Sequence, residues 1–167
     1  MIRKAQTEDI SRIAEIFVFG KRTAYRDIFK NDDFSFNELQ VVPLYQLYLD
    51  NPSLLRNMTV YDDGIVKGVI NTEYIENGLE ICELYVEPFF RGHGVGSELL
   101  RHVLSEANAE KADKVGLWVI KDNLPARKFY ERHGFHAAGE TRPVEGTQKT
   151  EMRYSMCLSR VYHAGTA

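Results

Sequence analysis

Cysteine is nearly absent: Cys82 and Cys157 are the only two in 167 residues. That excludes a disulfide-dense scaffold, and a domain of this size does not need a single bridge either. Both lie in strand-like stretches and read as small buried apolar residues. The five histidines are scattered and no cluster has zinc-ligand spacing, so no metal is expected. Five prolines and twelve glycines are too few for a collagen-like or low-complexity chain. No strong charge of either sign is present: the net charge of -3 gives no reason to expect nucleic acid as a partner. Long apolar runs are missing as well. The uncharged stretch Leu39 to Leu49 is too short to span a bilayer and contains Pro43. Glu8, Asp9, Arg12 and Glu15 stand where a signal peptide would need an apolar run. With no repeat or linker, the expectation is one soluble, cytoplasmic domain over residues 1–167 that meets no membrane.

What is present is a clear alternation of strand and helix signals. Ile2 to Ala5 reads as a short strand and Thr7 as the N-cap of a helix, with Ile10, Ile13, Ala14 and Phe17 at helical spacing. A second, irregular helical region spans about Lys21 to Leu49, with Ser35 and Glu38 as a capping box and Pro43 starting a further turn. Its aromatics, Tyr25, Phe29, Phe34, Phe36, Tyr45 and Tyr48, read mostly as core, with some available to line a substrate pocket. Three strands follow, Met58 to Tyr61, Ile65 to Tyr74 and Leu79 to Val86. They are joined by the hairpin signals Asp62-Asp63-Gly64 and Glu76-Asn77-Gly78. After a Gly-rich turn, Leu99, Leu100, Val103, Leu104 and Ala107 mark an amphipathic helix, and Val115 to Ile120 an apolar strand. Asn123 caps a helix that carries Pro125 in its first turn and ends at Gly134. Two last strands, about Phe135 to Thr141 and Glu151 to Leu158, flank the turn Glu145-Gly146-Thr147. The order is β-α-α-β-β-β-α-β-α-β-β. The strand, helix, strand unit at 79–120 implies one parallel pair in a mixed α/β sheet with helices on its faces.

The turn Arg91-Gly92-His93-Gly94-Val95-Gly96 lies between a strand and a helix N-terminus, where unpaired N–H groups and the helix dipole favour an anion. It lacks the Gly-Lys-Ser/Thr of a Walker loop, which weakens a nucleotide-binding reading, and the spacing of a dinucleotide fingerprint. Its pattern is Arg-x-x-Gly-x-Gly. Together with Leu84-Tyr85-Val86-Glu87-Pro88, Leu99-Leu100, Leu117-Trp118-Val119, Asn123, Ala126, Phe129-Tyr130-Glu131 and Gly134-Phe135, it resembles the GNAT superfamily of acetyl-CoA dependent N-acetyltransferases. The resemblance covers nearly the whole chain, is most specific over 79–135 and is least informative over 20–56.

It implies a GNAT-like acyl-CoA N-acyltransferase fold, acetyl-CoA as co-substrate and an amine of a small molecule or protein as acceptor. The pyrophosphate would rest on the turn from Arg91 to Ser97, hence on Gly92, His93, Gly94, Val95 and Gly96 between them, although Ser97 also reads as a helix-cap residue. The pantetheine arm would lie as an added strand against backbone groups of Leu84 and Val86, with Tyr85 between them also a cofactor-binding candidate, and beside Asn123, Ala126, Phe129 and Tyr130. Arg127 and Lys128 are candidates to reach the adenosine phosphates. On periodicity alone Tyr130 is a packed helical aromatic; the resemblance implies the general acid. Some members place a base in the strand before the Asn, but Trp118 occupies that position. Glu80 and Glu83 remain, on opposite faces unless a bulge intervenes, with Glu83 preferred as nearer the splay and a surface-acid role for both left open. Between Arg91 and His133 there are eight basic and six acidic residues, against 13 and 18 elsewhere, which suits a polyanion on one half. Glu140, Glu145 and Glu151 are candidates to attract a cationic acceptor. A non-catalytic acyl-CoA sensor of the same fold is the alternative. Relatives often form homodimers, but no segment here is diagnostic of an interface.

Overall fold

The computed structural model describes residues 1–76 and 78–158. Strand β1 (Ile2–Lys4) leads through a 3-10 turn at Thr7–Asp9 into helix α1 (Ile10–Phe29), and a π turn at Phe34–Glu38 precedes α2 (Val41–Asp50). Strands β2 (Met58–Asp62), β3 (Val66–Ile75) and β4 (Gly78–Val86) follow, then α3 (Val95–Ala109), β5 (Lys114–Ile120), α4 (Leu124–Arg132), β6 (His136–Pro143) and β7 (Thr150–Cys157). This is the expected order. The strands form one seven-stranded sheet, β1-β2-β3-β4-β5-β7-β6, in which β4 and β5 are the parallel neighbours. The hairpin between β3 and β4 forms as expected, with Ile75 opposite Gly78; Asn77 of its turn lies outside the described residues.

Each sheet face buries a separate core. On one, Ile10, Ile13, Ile16 and Phe17 of α1 meet Tyr48 of α2 and Val60 and Val69 of the sheet. On the other, Leu99, Leu100, Val103 and Ala107 of α3, with Tyr130 and Phe135, meet Ile70, Leu79, Ile81, Leu117 and Tyr154. Each fully buried large side chain contributes roughly 1.5–3 kcal/mol.

Several local expectations are corrected. Helix α1 does not stop before Lys21. It runs on to Phe29 through Gly20, which lets Tyr85 pack closely: a Cβ there would stand 2.7 Å from Cδ1 of Tyr85. Thr7 is not the N-cap: Gln6 precedes the 3-10 turn and Asp9 precedes α1, and the Gln6 backbone N–H donates to Asp9, which Arg3 also holds at 2.7 Å. Ser35 and Glu38 form no capping box, since Ser35 lies inside the π turn and its hydroxyl donates back to the Asn31 carbonyl. Phe36 is exposed rather than core, with the guanidinium groups of Arg22 and Arg26 over its ring. Both cysteines are exposed. Cys157 ends the last described strand. Cys82 is the extra residue of a β-bulge, for Thr72 faces Ile81 and Asn71 faces Glu83, which leaves Cys82 without an opposite number. That bulge resets the alternation and puts Glu80 and Glu83 on the same face.

The slot at Gly20 yields a first prediction. Gly20→Ala forces the Tyr85 ring from its seat and should cost about 1–3 kcal/mol by overpacking. Urea unfolding measures it, and an unchanged midpoint would show that the ring moves freely.

Candidate active site

Strands β4 and β5 pair only from Gly78 with Lys114 to Ile81 with Leu117. Beyond Ile81 they part, while β5 stays paired with β7 as far as Ile120. The bulge at Cys82 falls at the point of separation and turns β4 away. The Glu87 N–H donates to the Lys67 carbonyl at 2.9 Å, so the antiparallel alternation also turns the backbone groups of Tyr85 and Glu83 toward β3. Those of Leu84 and Val86 therefore point into the gap. The gap belongs to a cleft of about 840 Å³ lined by α1, β4, the Gly-rich turn, β5 and α4.

At one end is the turn. Gly92 and Gly94 have φ of +80° and +84°, and Gly94 is the N-cap of α3. A side chain at either glycine would meet nothing within 4 Å, so their requirement is conformational. Val95, Gly96 and Ser97 supply the first-turn amides, which have no partner within the helix. Ser97 is thus inside the first turn and not a cap. At Gly96 a Cβ would stand 3.4 Å from Val86 and 3.6 Å from Phe129, in the cleft itself. Arg91 lines the cleft, with its guanidinium donating to the carbonyls of Val86 and Gly20. His93 is exposed and not among the lining residues.

Helix α4 forms the facing wall. The Asn123 side chain accepts from the Ala126 N–H, and Pro125 sits in the first turn. Arg127 ties the helix down: it donates to the Tyr154 hydroxyl and the Lys121 carbonyl, while Tyr154 donates to Glu131. Arg127 is therefore engaged within the fold, and Lys128 does not line the cleft. Ala126, Phe129 and Tyr130 do line it. Tyr130 is buried between Phe129 and Phe135, and burial, with a smaller effect of Tyr25, pushes its phenol well above the usual range.

On β4, Glu83 lines the cleft, with one carboxylate oxygen 3.1 Å from Lys21 and the other 3.4 Å from the Asn71 amide. Glu80 is held by Arg153 at 2.6 Å and does not line the cleft. Trp118 lines it, with Arg142 and Arg153 over its ring. Of the three other glutamates, Glu151 reaches the cleft; Glu140 and Glu145 do not. Sequence reasoning offered Tyr25 only as one of six aromatics, some available to a pocket; in the structure it lines the cleft from α1 and its hydroxyl lies 2.9 Å from that of Tyr85. The available signal was helical spacing of Phe17, Gly20, Lys21 and Tyr25, which continues the stripe of α1.

The profile of the acetyltransferase (GNAT) family matches residues 22–135. The chain belongs to this family. The protein is accordingly an acetyltransferase, and the GNAT fold carries its sheet, turn and cleft. It is 28% identical over 136 residues to an uncharacterized N-acetyltransferase of Archaeoglobus fulgidus, covering 77% of this chain and 88% of that one. It is 32% identical over 115 residues to N-alpha-acetyltransferase 40 of Saccharomyces cerevisiae, covering 62% of this chain but 40% of the yeast protein. The fold is shared with PaiA N-acetyltransferase of Thermoplasma acidophilum, solved with coenzyme A. The TM-score there is 0.71 at 19% identity, over 95% of this chain and 98% of that one. Among the described residues of this GNAT protein no helix is long and apolar enough to cross a membrane.

The two glycines of the turn separate conformation from access. Gly94→Ala should lose about 1–2 kcal/mol of stability through its positive φ. Gly96→Ala, whose Cβ would make only ordinary van der Waals contacts with Val86 and Phe129, should stay within roughly 0.5 kcal/mol of the parent. Thermal unfolding of the pair checks this, and equal losses would refute the distinction.

Proposed function

We infer that this acetyltransferase moves the acetyl group of acetyl-CoA to an amino group of a small molecule or protein, by direct attack within a ternary complex. The observation that carries this reading is the cleft at the parted strands: it exposes the backbone of Leu84 and Val86 and has Glu83 on one wall and Tyr130 on the other. When bound, acetyl-CoA supplies the thioester carbon that the amine attacks and the thiolate that leaves. Residues Arg91 to Ser97 hold its pyrophosphate on backbone amides. Leu84 and Val86 pair with its pantetheine arm as a neighbouring strand would, and Asn123 and Ala126 flank it. The amide of Val86 steadies negative charge on the carbonyl oxygen.

Glu83 takes the proton that the amine nitrogen loses, through the oxygen that Asn71 holds only loosely. Tyr130 gives its phenolic proton to the departing sulfur. The bond from carbon to nitrogen forms, the bond from carbon to sulfur breaks, and one proton passes in sum from amine to thiol. Burial suits Tyr130 to this task, because a phenol held above its ordinary value near 10 stays protonated across neutral pH. In the lining of the cleft the acids Asp27, Glu83, Asp122 and Glu151 outnumber the bases Arg91 and Arg132, which favours a cationic amine. The yeast relative is named for α-amino acetylation and a solved neighbour from Brucella melitensis for ribosomal-protein alanine, so a peptide amino terminus heads the acceptor list.

Thiol release from acetyl-CoA, measured with an alanine-terminated hexapeptide, n-butylamine and further primary amines, tests the reaction. Tyr130→Phe should lower kcat by about 10²-fold or more with little change in acetyl-CoA affinity. An unchanged rate removes Tyr130 from the acid role. Because burial raises that phenol, any loss of rate below pH ~10 should keep its midpoint in Tyr130→Phe. A shifted midpoint would assign the limb to Tyr130. Gly96→Ala should weaken acetyl-CoA binding at least about tenfold, read by calorimetry.

A further inference from the structure

The acceptor end of the cleft contains one feature that the reaction just described does not use. Tyr25 and Tyr85 reach it from different elements, α1 and β4, and their hydroxyl oxygens are 2.9 Å apart. The contact is built rather than incidental. The Tyr85 ring lies edge-on to Phe17 with centroids 5.5 Å apart, and Gly20 vacates the space that the ring fills. Lys21, one turn before Tyr25, binds Glu83 at 3.1 Å and stands 5.8 Å from the centre of the Tyr85 ring. Phe17, Gly20, Lys21 and Tyr25 thus form one face of α1 that clasps Tyr85 beside the carboxylate. Both hydroxyls belong to cleft-lining residues.

Two hydroxyls in contact use one O–H and one lone pair between them. The other O–H and three lone pairs have no partner among the described residues, and both residues line the cleft. A primary amine that attacks a carbonyl must aim its own lone pair at carbon, which leaves N–H groups that need acceptors. We propose that the Tyr25–Tyr85 hydroxyl pair is the seat of the acceptor amine. It accepts one N–H while Glu83 takes the other, and so it fixes the direction of attack and selects a primary over a secondary amine. The assignment rests on the acetyltransferase reading above. Burial raises both phenols, so the pair stays neutral and hydrogen-bonding across the working pH range.

The test uses Tyr25→Phe, Tyr85→Phe and the double variant, each of which keeps its rings and the packing around them. The probes are the alanine-terminated hexapeptide, its N-methylalanine counterpart and n-butylamine. Each single variant should raise the KM of the primary amines about tenfold, as expected for one lost hydrogen bond, with the KM of acetyl-CoA unchanged. The double variant should be no worse than the singles, because the two hydroxyls act as one unit. The preference for the hexapeptide over its N-methyl form should fall by the same factor. Additive losses, an equal rise in the KM of acetyl-CoA or an unchanged preference would overturn the assignment while leaving acetyl transfer intact. No thiol release by the unmodified protein with any amine would instead remove the underlying reaction, and this assignment with it.

Discussion

The parallel ladder between β4 and β5 closes over four pairs and then fails at Ile81, where β4 acquires an extra residue. A sheet broken in this way leaves amides and carbonyls without partners. Inside a protein each such group is costly, so a gap of this kind persists only where water or a ligand can reach it. The gap here opens into the cleft. Its unpaired edge has the spacing of a strand, which is the geometry a chain of amide groups such as pantetheine can extend. The same bulge rotates Glu83 onto the face of α1 and so sets the acidic wall. One local irregularity therefore sets both the open strand edge and the carboxylate that faces α1.

The remaining geometry fixes what meets at that gap. Arg12 pairs with the buried Glu87 at 3.1 Å and joins α1 to the end of β4. Removal of one partner from such a pair strands a charge, so the link resists sliding of the helix along the strand. On the opposite face, Arg127, Tyr154 and Glu131 lock α4 to the sheet. Tyr130 and Tyr85 thus approach the gap from separate cores, each carried by a firmly anchored element. Placement by rigid elements matters because small displacements of a reacting group reduce rates steeply.

Much of this was legible in the sequence. The element order and parallel pair followed from periodicity, and the Gly-rich turn and Asn123 cap from residues whose local chemistry is nearly context-free. What was illegible was tertiary. Gly20 carries no sequence signal for its place inside a helix, because its reason for being there is a ring 65 residues away in the chain. The cysteines read as buried because strand propensity does not reveal a bulge. Glu80 and Glu83 could not be assigned to a face until the register of β3 against β4 was known. Tyr25 looked like one aromatic among six, and only the partner hydroxyl on β4 distinguishes it.

Charge at the site follows the same logic of pairing rather than counting. The acidic wall is not a pool of free carboxylates: Glu83 faces Lys21, Glu151 faces Arg142 and Asp122 faces Lys149. Ion pairs this exposed contribute little to stability, so their retention around the cleft is better explained by position than by energy. Each cation neutralises its carboxylate until a second cation arrives, which lowers the attraction for inorganic ions while leaving an amine with N–H donors able to compete on geometry. Asp27, on the exposed side of α1, lines the cleft with no cation paired to it among the described residues. The charge of the wall is therefore largely paired, and a cation that enters the cleft competes with Lys21, Arg142 and Lys149 for these carboxylates.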